Sequence, residues 1–81
     1  MSYVYIIKSI EGLVYVGSTT DLNKRLYQHQ NKLAGWTKRG NDWKLIYSEE
    51  FETYSDARKR ELWFKTGKGR EYIKTNILGG S

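Results

Sequence analysis

Alternating apolar residues near the start of the chain predict a β-hairpin. The two strands are expected at Tyr3–Lys8 and Leu13–Gly17, because successive side chains of a strand point to opposite faces. Ser9–Glu11 is then the connection, a three-residue turn with a glycine at its exit.

The predicted pairing places two tyrosines side by side. If Tyr5 lies opposite Tyr15, then Lys8 lies opposite Gly12, and both tyrosines share a face with Gly17. A glycine there admits close approach of a neighbouring group. The high strand propensity of tyrosine also explains this pattern without any function.

The rest of the chain predicts one further strand and three helices. These are a helix from Asp21 to Asn31 or Lys32, a strand at Trp43–Phe51, a helix capped by Ser55 and ending near Lys65, and a helix at Arg70–Ile77. Residues 34–42 resemble a basic loop, and Gly67–Gly69 interrupts the helical pattern. In the third strand, Trp43, Leu45 and Tyr47 are expected on one face.

The order β-β-α-β-α-α indicates an α+β fold with a small three-stranded antiparallel sheet flanked by three helices. A single domain is expected over residues 1–78, followed by a flexible tail at residues 79–81.

Composition narrows the class of protein. The 81 residues include no cysteine and one histidine, which argues against disulfides and a structural zinc site. Neither a signal peptide nor a membrane span is apparent, so a cytoplasmic protein is expected, nucleoid-associated if it is bacterial. The net charge of +5 suits a polyanionic partner, although a generally basic surface explains it equally well.

Polar residues interrupt the apolar stripe predicted for the first helix. Leu22, Leu26 and Leu33 define that stripe at helical spacing. His29 falls inside the stripe and Arg25 lies at its edge. The second helix repeats the anomaly, since its stripe contains a glutamate, Glu61.

Together, Arg25, His29 and Glu61 beside Tyr5 and Tyr15 provide the groups needed to hydrolyse a phosphodiester. Arginine offsets phosphate charge, and a carboxylate binds Mg²⁺. A tyrosine of pKa near 10 is only about one part in 10³ ionised at pH 7, so it needs help to act as a base. The structural alternative is that Glu61 pairs with Arg25 or His29, or that these side chains extend to solvent.

Six segments occur in a characteristic order along the chain. They are Tyr3-Val4-Tyr5 with Tyr15-Val16-Gly17, Asp21-Leu22-x-x-Arg25-x-x-x-His29, Trp43-Lys44-Leu45-Ile46-Tyr47, Ala57-x-x-x-Glu61, and Gly67 to Lys74. By these segments the chain resembles the GIY-YIG nuclease family, particularly its small single-domain bacterial members. The resemblance covers most of the chain.

This resemblance implies a role for each central residue. Tyr5 and Tyr15 would be the paired active-site tyrosines, and Arg25 would contact the scissile phosphate. His29 would handle a proton or orient the substrate. Glu61 would bind a single Mg²⁺ or Mn²⁺ ion.

Further positions match the family less closely. Gly17 and Asn76 are possible additional active-site residues. The chain departs from the family pattern in two places: Tyr3 replaces the first glycine, and Ser18 stands where some repair-endonuclease relatives have a lysine.

The expected function is a metal-dependent endonuclease that hydrolyses DNA, structure-selective or weakly specific, in DNA repair or processing. A protein partner for targeting is consistent with the lack of appended recognition elements. The alternatives are a catalytically weak nucleic-acid-binding module and an assembly adaptor. The residues expected to contact the phosphate backbone are Lys38, Arg39, Arg58, Lys59, Lys65, Lys68, Arg70 and Lys74.

Overall fold

The computed structural model describes residues 1–31 and 39–79. The predicted positions of Leu33 and Lys38, most of the basic loop, and the last two residues of the tail therefore lie outside the described residues.

Three antiparallel strands form the sheet, and helices cover both of its faces. The strands are β1 (Ser2–Lys8), β2 (Val14–Thr19) and β3 (Lys44–Phe51), in the order β2-β1-β3. The helices are α1 (Leu22–Gln30), α2 (Tyr54–Phe64) and α3 (Gly67–Tyr72), and α3 continues as a π-helical segment at Ile73–Ile77. This arrangement confirms the predicted fold class. None of the described helices is long and apolar enough to cross a membrane.

The central strand β1 is buried on both faces and divides the core in two. Val4 and Ile6 pack with side chains of α2 and the π-helical segment. Tyr5 and Ile7 pack on the opposite face, towards α1. Because alternate residues of a strand point to opposite faces, β1 places a tyrosine in the half of the core that α1 covers.

The predicted register of the hairpin is wrong by two residues. Tyr5 lies opposite Gly17, and Tyr15 lies opposite Ile7. A shift of two residues keeps every side chain on its original face, so Tyr5, Tyr15 and Gly17 still share one face of the sheet.

The turn explains the shift in register. Lys8 pairs with Val14 instead of Gly12, so the connection has five residues. Gly12 lies inside the turn with φ of 93°, a left-handed conformation that favours glycine. Its N–H donates to the carbonyl of Ser9 at 3.0 Å, and the N–H of Ser9 donates to the carbonyl of Leu13 at 2.9 Å.

The expected alternation in β3 is also wrong. An irregularity in the pairing of β3 with β1 means that Trp43, Leu45 and Tyr47 do not share a face. Tyr47 lies opposite Ile6 and packs on the α2 side. Trp43 is buried beside Tyr5, on the α1 side.

Helix α2 begins earlier than predicted. Thr53, and not Ser55, is its N-cap, and the Thr53 hydroxyl accepts a hydrogen bond from the N–H of Asp56 at 3.2 Å. This contact satisfies one of the free N–H groups at the start of the helix.

Helix α3 includes the glycines that were expected to interrupt it. It begins at Gly67 instead of Arg70, and the Thr66 hydroxyl caps it by accepting from the N–H of Gly69 at 3.2 Å. A Cβ atom at Gly69 would collide with backbone atoms of α2, lying 2.7 Å from the carbonyl carbon of Phe64. Glycine therefore allows the two helices to make backbone contact.

Candidate active site at the edge of the sheet

Tyr5, Arg25 and His29 meet in the buried space between β1 and α1. The hydroxyl of Tyr5 lies 2.7 Å from Nε2 of His29, and Nε of Arg25 donates to the same hydroxyl at 3.4 Å. Arg25 and His29 are four residues apart, so the helix presents both on one face. Tyr5 is 0% exposed and His29 1% exposed, whereas Arg25 is half-buried.

Both members of the Tyr5–His29 pair are neutral at pH 7. Burial raises the pKa of Tyr5 to about 12, and a hydrogen bond from Arg25 offsets only part of this effect. Burial and the positive charge of Arg25 lower the pKa of His29 to about 4. Tyr5 donates to His29 in one tautomer of the imidazole and accepts from it in the other.

Tyr15 and Gly17 complete this cluster from β2. The Tyr15 ring centroid lies 6.3 Å from that of Tyr5 and 5.1 Å from that of His29. Gly17 lies beneath the Tyr5 ring: a Cβ atom there would be 2.6 Å from Cζ of Tyr5 and 3.0 Å from Cε2 of Tyr15. Glycine at this position thus lets the two tyrosines reach the histidine.

Glu61 is buried in a different set of contacts. Its Oε1 accepts a hydrogen bond from the Ser18 hydroxyl at 2.5 Å. Its Oε2 lies 2.8 Å from Nη1 of Arg58 and 2.7 Å from Nζ of Lys65. Burial by itself raises the pKa of Glu61, but hydrogen bonds from Lys65, Ser18 and Arg58 bring the pKa below its ordinary value.

The structural alternative in which Glu61 pairs with Arg25 or His29 is wrong, because the partners of Glu61 are Ser18, Arg58 and Lys65. The serine-carboxylate contact was not predicted. It joins a strand to a helix 43 residues further along the chain, so no local pattern signals it.

The two sets of contacts lie on opposite faces of the sheet and meet at its edge strand, β2. On β2, Tyr15 pairs with Ile7 and Gly17 pairs with Tyr5, so both face α1. Ser18 pairs with Val4 and therefore faces α2. Lys65 spans the edge: its Nζ bonds Glu61 and lies 6.0 Å from the centroid of the Tyr15 ring.

A groove of about 790 Å³ runs along the same edge. Three of the predicted phosphate-binding cations line it next to Tyr15, namely Lys65, Arg70 and Lys74. Its other lining residues are apolar: Val14, Val16, Phe64, Ile73 and Leu78.

The remaining predicted binding residues lie elsewhere. Arg39, Arg58, Lys59 and Lys68 are exposed, and Arg58 is bound to Glu61. Asn76 is also exposed, and its side-chain amide donates to the hydroxyl of Thr75 at 2.9 Å.

The groups around Glu61 provide one carboxylate ligand for a divalent cation, together with two competing basic side chains. Mg²⁺ takes one or two carboxylates and completes its coordination with water or phosphate oxygens. Among residues 1–31 and 39–79, no group of three His, Cys, Asp or Glu side chains gathers around a common point. Glu61 would therefore bind a cation as a single carboxylate, and two basic side chains now share the oxygen that is not bound to Ser18.

Known proteins share this fold and sequence. The chain is 38% identical over 73 residues to a UPF0213 protein of Staphylococcus saprophyticus subsp. saprophyticus, a match that covers 89% of each protein. It is 40% identical over 65 residues to a UPF0213 protein of Staphylococcus aureus, covering 79% of each. The solution NMR structure of a UPF0213 protein from Bacillus halodurans matches with a TM-score of 0.56 and 28% identity, covering 100% of this chain and 88% of that one.

The family model described as the GIY-YIG catalytic domain matches residues 1–74. That range includes all three strands, α1, α2 and α3, and every residue of the two contact sets around Tyr5 and Glu61. The chain therefore belongs to the GIY-YIG catalytic-domain family.

Proposed function

We propose that this chain is a metal-dependent endonuclease that hydrolyses phosphodiester bonds in DNA. The observation that carries the proposal is the buried Tyr5–His29 contact of 2.7 Å with Arg25 bonded to the same hydroxyl. Membership of a nuclease family supports it, as does the groove beside Tyr15 that three cations line.

Arg25 is placed to bind the scissile phosphate. Its Nε reaches Tyr5 and its Nη1 donates to Gln28 at 3.1 Å. The planar guanidinium has five N–H donors in total, so it can bond a phosphate while it stays close to Tyr5. A phosphate held by Arg25 would lie next to the Tyr5 hydroxyl.

Tyr5 and His29 would then move the proton of the attacking water as a pair. A phenol of pKa about 12 is ionised in only about one molecule in 10⁵ at pH 7, so a free phenolate is a poor candidate for the base. In the tautomer with the proton on Nδ1, Tyr5 can accept the water proton on Oη as it passes its own proton to Nε2 of His29. The negative charge of a bound phosphate favours the protonated imidazole that results.

Glu61 would hold the metal ion, with Ser18 orienting the carboxylate through Oε1. A bound Mg²⁺ or Mn²⁺ supplies positive charge that stabilises the developing charge on the phosphate oxygens. Tyr15 packs against Tyr5 and His29, and its ring lies 6.0 Å from Nζ of Lys65, a partner of Glu61. It would contact the substrate at the edge of the sheet.

The substrate preference and the cellular setting are part of the same proposal. The domain that we propose over residues 1–78 itself offers little surface for reading a long DNA sequence, which favours structure-selective or weakly specific cleavage. We place this activity in DNA repair or processing, in the cytoplasm. A separate protein partner would supply any targeting.

The test is a cleavage assay with duplex, branched and single-stranded DNA in Mg²⁺, Mn²⁺ or chelator. We expect cleavage by the wild type with metal, and at least about 10²-fold less by Tyr5→Phe, Arg25→Ala and Glu61→Ala. Equal products from wild type and all three variants would show that a contaminant, and not this site, cuts the DNA.

A second candidate is a nucleic-acid-binding module with little catalytic activity. The observation that favours it is that Glu61 already has two basic partners on Oε2, which compete with a metal ion. Binding that weakens steeply with salt, without cleavage under any metal condition, would support the module over the nuclease.

A further inference from the structure

The carboxylate of Glu61 is paired with two cations whose side chains are open to solvent. Arg58 and Lys65 both contact Oε2, yet their side chains are 49% and 46% exposed, against 5% for Glu61. Each cation can rotate towards another anion because its own side chain is not held in the core. The buried carboxylate then requires a different cation in their place, so the cations can leave Glu61 by exchange with a metal ion.

The same cations oppose binding of a metal ion. Oε1 accepts a hydrogen bond from Ser18 and Oε2 contacts both cations, so a divalent cation bound to this carboxylate lies close to two positive groups. The repulsion between a divalent cation and both of these groups makes that state unfavourable while they remain in place.

A nucleic acid would provide the alternative partner. Lys65 lines the groove that also contains Arg70 and Lys74, so a phosphate in that groove lies within its range. Arg58 is three residues before Glu61 and four before Leu62 on the exposed side of α2, and its guanidinium is suited to phosphate oxygens.

We propose that Arg58 and Lys65 are exchangeable counter-ions, which keep a divalent cation off Glu61 until nucleic-acid phosphates draw them away. This inference rests on the proposed function, since it assumes that the groove receives a nucleic acid and that Glu61 receives the metal ion. It makes metal binding and nucleic-acid binding mutually reinforcing, with the same coupling in both directions. Metal loading would then occur mainly on the nucleic-acid complex.

The first experiment measures Mn²⁺ affinity of the free protein by electron paramagnetic resonance, without nucleic acid. The variants are Lys65→Gln, Arg58→Gln and the double variant. The control is a second pair of substitutions, Lys24→Gln with Lys44→Gln, which removes two charges from exposed lysines that are not ion-pair partners of Glu61. We expect the Arg58→Gln/Lys65→Gln double variant to bind Mn²⁺ roughly fivefold more tightly than the wild type, and the control pair to bind with nearly wild-type affinity.

The second experiment measures binding of a DNA oligonucleotide in the presence of chelator. Glu61→Gln removes the negative charge that binds Arg58 and Lys65, which leaves both side chains available to phosphates. We expect this variant to bind DNA roughly threefold more tightly than the wild type and with a steeper salt dependence. Glu52→Gln, an exposed glutamate between β3 and α2, controls for the loss of one negative charge.

The inference is overturned if the double variant binds Mn²⁺ no better than the control pair Lys24→Gln/Lys44→Gln, or if Glu61→Gln binds DNA no better than Glu52→Gln. Thermal unfolding of each variant confirms that it is folded. If the wild type cleaves DNA but the double variant binds Mn²⁺ with unchanged affinity, the counter-ion role of Arg58 and Lys65 is rejected and the proposed nuclease function is not. Tighter Mn²⁺ binding without cleavage of any substrate by the wild type would reject the proposed function instead.

Discussion

The Tyr5 hydroxyl and Nε2 of His29 lie 2.7 Å apart in a part of the core where neither residue is more than 1% exposed. Each group is a hydrogen-bond partner of the other at a position that is buried in the protein without bound nucleic acid. The pair is therefore part of the stability of the fold as well as part of the candidate site.

Removal of one partner should destabilise the protein. Tyr5→Phe leaves the buried imidazole without its hydroxyl, and we expect a loss of about 1–3 kcal/mol in the free energy of unfolding, measured in urea. Tyr3→Phe is the control, because its hydroxyl donates to Glu50 in an exposed contact of 3.2 Å, and it should cost less than about 1 kcal/mol. Equal losses for the two variants would contradict a structural role for the Tyr5–His29 bond.

The protein should lose stability in acid partly because of His29. Its pKa is about 4 in the folded protein and 6.5 ordinarily, so between these values the unfolded chain binds the proton more readily than the folded one. Stability is then complete above pH 6.5 and falls as the pH decreases towards 4. We expect this one residue to cost about 3 kcal/mol over that range, from about 1.4 kcal/mol for each unit of difference in pKa.

The control for this pH dependence is His29→Gln, which retains a side chain capable of hydrogen bonding but does not titrate. Urea unfolding at a series of pH values should show a smaller decrease in stability between pH 6.5 and 4 for this variant than for the wild type. Parallel curves for the two proteins would assign the acid sensitivity to other groups, such as Glu61. The lowered pKa of Glu61 also makes the stability decrease as the pH decreases.

The fold class could be predicted because alternation and helical spacing report which faces are buried. The hairpin register could not, because a shift of two residues leaves Tyr5, Tyr15 and Gly17 on the same face. The left-handed φ of Gly12 decides between the two registers, and hydrophobic pattern carries no information about it.

Part of the candidate site could be predicted from the sequence, and part could not. Helical spacing places Arg25 and His29 on one face, and the structure brings both to Tyr5. The partners of Glu61 differ in this respect. Lys65 lies four residues after it, a spacing visible in the sequence, whereas Ser18 meets it only through packing of α2 on β2.

Two glycines in α3 should respond in opposite ways to alanine. A Cβ atom at Gly69 meets the backbone of α2, which cannot move aside, whereas a Cβ atom at Gly67 has nothing within 4 Å. We expect Gly69→Ala to cost about 3 kcal/mol or more. Gly67→Ala should be neutral or stabilise by about 0.5 kcal/mol, because alanine restricts the unfolded chain. Similar midpoints of urea unfolding for the two variants would contradict the close contact between α2 and α3.

Ser18 should control metal affinity through the orientation of Glu61. Ser18→Ala removes the hydrogen bond of 2.5 Å to Oε1 of Glu61, so the carboxylate loses the contact that orients this oxygen. We expect the Mn²⁺ concentration for half-maximal DNA cleavage to rise about tenfold, and the free energy of unfolding to fall by about 1–2 kcal/mol because a buried carboxylate oxygen loses its donor.

Two variants separate orientation of Glu61 from a general effect on the sheet. Ser18→Thr keeps a hydroxyl at the same position, so it should restore most of the Mn²⁺ affinity that Ser18→Ala loses. Ser48→Ala removes an exposed hydroxyl from β3 and should leave the Mn²⁺ dependence unchanged. If Ser18→Thr behaves like Ser18→Ala, the hydrogen bond to Glu61 does not set metal affinity, and Ser18 serves only as a strand residue beside α2.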